Sequence, residues 1–96
     1  MIRKKYFFLN GKRLAGLEAE LGRANLVLVI APAGYICCGY LNLALAKKIG
    51  DAACMVRGVK TVKDLLSAEI KALTPLARSR GIKVGMSAKA ALAKLL

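Results

Sequence analysis

An α+β domain is the fold this chain predicts: a mainly antiparallel sheet begun by an N-terminal hairpin, with short helices packed on it. Three observations lead there. Apolar runs of strand length fill the first third of the sequence. Asn10-Gly11 separates the first two, and this pair is a strong hairpin signal because both residues tolerate positive φ. Short capped helical segments then alternate with further strand-length runs, and that order belongs to the α+β class.

The elements follow in turn. Lys4 to Leu9 is an aromatic-rich strand, and Lys12 to Leu21 returns beside it. In the second strand Ala15, Leu17, Ala19 and Leu21 share one face, and Leu14, Gly16, Glu18 and Glu20 share the other, the mark of a half-buried strand. Gly22 to Ala24 turns the chain. Asn25 to Ala31, "NLVLVIA", is apolar on both faces and suits a central strand. Pro32 to Gly34 makes a tight turn, "YICC" pairs back, and Gly39 ends that strand. Tyr40 to Ile49 reads as a helix with Gly50 as its C-terminal cap and Lys47 and Lys48 in the last turn, where the dipole favours cations. Being apolar nearly all round, this helix is expected to be sandwiched. Ala52 to Val56 is a further strand. Thr61 opens a helix as N-cap, with Asp64 in a capping-box-like position and Val62, Leu65 and Leu66 on its apolar face. Glu69 to Leu73 is a short strand. Thr74-Pro75 starts another helix, which Gly81 closes. Ser87 caps the last helix, with Ala88, Ala91, Leu92, Leu95 and Leu96 as its buried stripe.

The 96 residues make a single domain, 1–96. A chain of this length buries only about two thirds of its unfolded surface, so its core must be efficient or shared with a partner. Its apolar fraction of 57% leaves disorder out of account. A homo-oligomer is therefore expected, with a dimer favoured. Leu26 to Ala46 carries no charge and has the length of a membrane span. Pro32, Gly34, Gly39 and Asn42 interrupt it, so no membrane span is expected.

The net charge of +12, from 17 Lys and Arg against 5 Asp and Glu, points to anionic partners. These would be nucleic acid, an acidic protein, a membrane surface, or a small phosphate or carboxylate. A soluble protein from a Lys-rich proteome would carry the same surplus, and the basic residues scatter after position 13. The one cluster is Arg3, Lys4, Lys5, Lys12 and Arg13. No histidine is present, which removes Ser-His-Asp and Cys-His catalysis within the chain and every His-ligated metal site. Three cysteines without framework spacing argue against a secreted disulfide scaffold and favour a reducing cytoplasm. No secretory signal opens the chain. No P-loop or dinucleotide fingerprint occurs, and no cofactor is expected.

Two long stretches resemble a known family. "GYICCGYLNLALAKKIGDAACMVRGVKTVKDLLSAEI" and "GIKVGMSAKAALAKL" are similar to the YunC-like family of small uncharacterised prokaryotic proteins, a domain of unknown function. Its pattern runs Gly-Tyr-[Ile/Val]-x-Cys-Gly-x-Leu-[Asn/Asp], then Arg-x-x-Gly-Val-[Lys/Arg]-Thr, then Gly-[Ile/Val]-x-x-Gly-Met-[Ser/Thr]. Gly34, Tyr35, Ile36, Cys38, Gly39, Leu41 and Asn42 match the first part. Gly58, Val59, Lys60 and Thr61 match the second, and Gly81, Ile82, Gly85, Met86 and Ser87 the third. Arg57 departs from the pattern by directly preceding Gly58. The resemblance implies a cytoplasmic α+β domain and brings no activity, cofactor or substrate.

Candidate site residues gather in two segments. Cys38 precedes Gly39 and the expected start of a helix, where a thiolate would be stabilised. Gly39 would let a ligand approach closely, and Asn42 would orient an anion or a carbonyl, with helix capping as its plain role. Arg57, Gly58, Lys60 and Thr61 form a loop whose cations and N–H groups suit a phosphate or carboxylate, against the alternative of a solvated loop with an ordinary cap. Cys38 as a small buried hydrophobe is the competing reading. Metal is not expected, because adjacent strand cysteines point to opposite faces and a fourth ligand is lacking. Glu18 and Glu20 are expected to face water. Two functions stand from different classes. One is a small-anion-binding domain, or a thiol-dependent enzyme, built on the Cys38-Gly39 segment. The other is a basic non-catalytic adaptor that binds RNA or an acidic protein through the N-terminal hairpin, although no nucleic-acid motif is present.

Overall fold

The strands form one sheet. The computed structural model describes residues 2–96. Its order is β1 (Ile2–Leu9), β2 (Lys12–Leu21), β3 (Ala24–Ala31), β4 (Gly34–Cys37), α1 (Leu43–Ile49), β5 (Ala53–Met55), α2 (Val62–Ser67), β6 (Ala72–Leu73), α3 (Pro75–Ser79) and α4 (Ala88–Ala93). The six strands lie side by side in sequence order. Every neighbouring pair is antiparallel except β4 and β5, which run parallel across the α1 connection. A parallel pair needs such a crossover, and α1 supplies it. The α+β class and the N-terminal hairpin are as the sequence predicts.

Local chemistry sets the turns and helix ends. Asn10 and Gly11 take φ of 51° and 78°, the left-handed pair of a tight hairpin. The side chains of Thr61, Thr74 and Ser87 accept N–H bonds from Asp64, Ala77 and Ala90, capping α2, α3 and α4. Asp64 answers by accepting from the Lys60 N–H at 3.2 Å.

Strand register sorts the side chains onto two faces. One row runs Gly16, Val29, Ile36, Cys54 and Leu73 across successive strands. This face meets the helices. α2 packs against β2 and β3, and α4 against α2 and β4. Between the layers lies the core, with Leu14, Val27, Val29, Ile36, Leu65, Ile70, Ile82, Leu92 and Leu95 all essentially sealed from water. Gly16 lets α2 settle onto the sheet, since a Cβ there would stand 2.8 Å from the Val62 Cγ2. The opposite face of β1, β2 and β3 is different. Ile2, Tyr6, Phe8, Leu21 and Ile30 all project there into solvent.

Two expectations are corrected. α1 does not begin at Tyr40, nor is it sandwiched. It starts at Leu43, buries only Ala46, and leaves Leu45 and Ile49 exposed. The helix packs against β5. Glu18 does not face water. It is buried, with its carboxylate accepting the Val62 N–H at 2.7 Å and pairing with the Lys5 ammonium at 3.3 Å. Glu20, two residues on, is exposed. No helix among the described residues is long and apolar enough to cross a membrane, and Leu26 to Ala46 divides into two strands and α1.

Candidate functional site

A cleft of about 560 Å³ opens at the end of the sheet where β3 begins and β4 finishes. Three chain segments line it. Arg23, Ala24 and Asn25 come from the β2–β3 turn and the start of β3. Cys38, Gly39 and Tyr40 follow β4. Gly58, Val59 and Lys60 come from the loop between β5 and α2. The cleft therefore joins Cys38 and Gly39 to Gly58 and Lys60, two of the segments singled out in the sequence.

Backbone pairing holds these walls. The Cys38 N–H donates to the Val27 carbonyl at 3.0 Å, continuing the β3–β4 pairing past the last strand residue. The Asn25 side-chain amide donates to the Lys60 carbonyl at 3.0 Å and ties the third segment to β3. Gly58 has a φ of 72°, a left-handed conformation that side chains rarely adopt, and it turns the loop into the cleft. Gly39 has open space around it, so an added Cβ would meet only the cleft.

The Cys38 thiol is nearly closed off, at 4% exposure, yet it borders the cleft. Its Sγ accepts the Val27 N–H at 3.4 Å and donates to the Asn25 carbonyl at 3.6 Å. The other two cysteines differ. Burial, then the neighbouring Cys38, pushes the Cys37 thiol up to about 12. Burial alone pushes Cys54 up to about 11. Both are held in the inert thiol form at neutral pH. All three are free, and among the described residues no group of three His, Cys, Asp or Glu converges as a metal site.

The charge of the cleft is one-sided. Arg23 and Lys60 line it, and no carboxylate does. A ligand meets two cations beside the Cys38 thiol, which suits a small anion.

The remaining predicted residues lie elsewhere. Asn42 caps α1 by accepting the Leu45 N–H at 3.0 Å and does not line the cleft. Cys38 is accordingly not at a helix N-terminus, because a turn closed by the Leu41 N–H on the Cys38 carbonyl intervenes. Thr61 caps α2 and borders a small adjoining hollow of about 80 Å³ with Arg3 and Glu18. Arg57 is exposed and outside the cleft. Arg23, Asn25 and Tyr40 are site residues that the sequence reading missed. The basic hairpin does not form one surface. Strand alternation sends Arg3 and Lys5 to one face and Lys4 and Arg13 to the other, where the Arg13 guanidinium lies 4.1 Å over the Tyr6 ring.

Comparison with known proteins adds lineage. The sequence profile of the family described as a domain of unknown function (DUF1805) matches residues 37–95. The uncharacterised protein YunC of Bacillus subtilis (strain 168) is 34% identical, over 100% of this chain and 99% of its own length. A crystal structure of a protein of unknown function from Thermoplasma acidophilum superposes with a TM-score of 0.96 at 34% identity, covering 100% of this chain and 94% of that one.

Proposed function

The chain belongs to the DUF1805, YunC-like family, and we propose that its cleft binds a small anionic ligand against the Cys38 thiol. The family description carries no activity, so the proposal rests on the site. One observation carries it. Three segments distant in sequence converge on a single cleft lined by Arg23, Lys60 and Cys38 and by no carboxylate. Charge selects the ligand class, and the walls limit its size to a small phosphate or carboxylate compound. The Val27 N–H donates to the sulfur and fixes its position beside the cleft. A thiol-dependent reaction is the extension of this reading, with the Cys38 sulfur adding to a carbonyl carbon of the bound anion as the C=O π pair moves to oxygen and the thiol proton passes to solvent. Three free cysteines support a reducing cytoplasm as its setting. The basic-adaptor alternative has less support, because the hairpin cations divide between two faces.

Alkylation tests the proposal with an anion that is itself the reagent. Iodoacetate and Cys38 form an S–C bond as iodide leaves and the thiol proton passes to solvent. Iodoacetamide does the same without the charge. Peptide mass spectrometry reads each cysteine separately. The rate ratio of iodoacetate to iodoacetamide at Cys38 is expected to exceed that of a free thiol by about tenfold at low salt. Lys60→Ala and Arg23→Ala should each lower the ratio. Cys37 and Cys54 should stay unlabelled until the protein unfolds. A Cys38 that is inert in the folded protein, or a ratio equal to that of a free thiol in every variant, rules the reading out.

A further inference from the structure

The open face of β1, β2 and β3 is a second feature, independent of the cleft. The two faces of this half of the sheet are both apolar, and only one is covered by helices. On the other, Ile2 is 70%, Tyr6 57%, Phe8 72% and Ile30 50% exposed, around a half-buried centre of Leu17 and Leu28. We propose that this face is the interface of a homodimer, sheet against sheet, with the Leu17–Leu28 pair of one protomer set over that of its partner.

Area supports the assignment. The exposed apolar side chains offer on the order of 700 Å² per protomer, close to the roughly 800 Å² that a standard interface takes from each side. A monomer rarely leaves a patch of this size open. The distribution of charge agrees. The face carries two cations: Arg13 beside the hairpin turn, and Lys4 on the outermost strand, between Ile2 and Tyr6 and opposite Leu17. A face this poor in charge suits the core of a protein interface. Lys4 can lay its stem along the patch and keep its ammonium in water, and Arg13 is already flattened over Tyr6. A lipid surface would call for a ring of free cations around the patch. Two flat sheets can stack about 10 Å apart with their strands some 30° out of line, which needs no change within either protomer.

Sedimentation or light scattering of the full chain at about 50 μM tests the proposal. The wild type should show twice its 10.2 kDa chain mass, and Ile30→Lys should return it to one. Leu45→Lys, at an exposed leucine of α1 outside the face, should leave the dimer intact. Should Ile30→Lys lose its circular dichroism, Phe8→Lys takes its place at a side chain already bathed in solvent. A larger assembly supports the interface if the face variant halves its mass. A wild-type monomer overturns the proposal, as does an oligomer indifferent to the face variants or dissociated by Leu45→Lys. Vesicles of anionic lipid that sediment with a monomeric wild type would identify the other occupant and overturn it too.

Discussion

At Gly34 the chain has no room for a methyl group. A Cβ there would run into the Ala52 carbonyl oxygen and stand 3.0 Å from the Leu95 Cδ2. That carbonyl is also bound by the Tyr35 N–H, so it cannot swing aside without breaking the link from β4 to the start of β5. Each following residue of "GYICCG" meets a separate demand. The Tyr35 hydroxyl donates to Asp51 at 2.6 Å. Burial, reinforced by the Asp51 carboxylate, pushes it up to about 12 and holds it protonated as a donor. Ile36 lies in the core, Cys37 faces the other side of the sheet, and Cys38 reaches the cleft. Gly39 has space around it. The two glycines should therefore part company. Gly34→Ala is expected to cost about 2–3 kcal/mol in urea denaturation, as overpacking does. Gly39→Ala should change stability by less than about 0.5 kcal/mol and slow Cys38 alkylation. Equal losses at both positions would mean that Gly39 is structural and not a wall of the cleft. A motif pattern marks these positions alike, and only the backbone packing around them separates their roles.

At the scale of elements, the junction of β2 with α2 turns on one carboxylate. Glu18 takes the Val62 N–H and faces Lys5. The backbone bond from Val62 outweighs the cost of burial and, with Lys5, holds the Glu18 carboxyl below its ordinary 4.5. A folded-state value below the unfolded one contributes stability at neutral pH, and that contribution is lost as pH falls from about 4.5 through the folded value. Glu18→Gln keeps an acceptor for Val62 but removes the charge. It should lower stability by about 1 kcal/mol at pH 7, with the difference shrinking as pH falls below about 4.5 and through the lowered folded value. Urea midpoints across that range check it, and a difference that is constant with pH would deny the charge any part. No local pattern announces this contact, because Glu18 and Val62 are 44 residues apart. What was legible was local. The hairpin turn, the caps at Thr61, Thr74 and Ser87, and Gly50 ending α1 follow from side-chain chemistry within four residues. The helical start at Tyr40 was misread because apolar periodicity does not see a cap, and the Asn42 side chain sets the boundary. Half of the cleft was within reach. A tight turn after Ala31 fixes the pairing of Ala31 with Gly34, and carrying that register outward sets Asn25 beside Tyr40. Arg23 and Asn25 could have been placed at the site from that step alone. The arrival of Gly58 and Lys60 could not, since it depends on how β5 and α2 dock.

Across the whole molecule, a charge of +12 acts on the two proposed sites with opposite sign. Bringing two such protomers together costs repulsion, which salt screens over a Debye length of about 8–10 Å near physiological ionic strength. The apolar contact itself does not weaken with added salt. The open face of β1–β3 should therefore self-associate more tightly as sodium chloride rises from about 20 to 500 mM, with a severalfold fall in the dimer dissociation constant. The cleft should behave in reverse. Attraction of an anion to Arg23 and Lys60 is screened by the same ions, so the iodoacetate preference at Cys38 should fade over that range. One salt series read by sedimentation and by alkylation thus separates the two surfaces. Should both weaken together, the dimer is held by charge and not by the sheet face. Should the alkylation ratio ignore salt while the dimer tightens, the sheet interface stands and the cleft loses its claim to an anion.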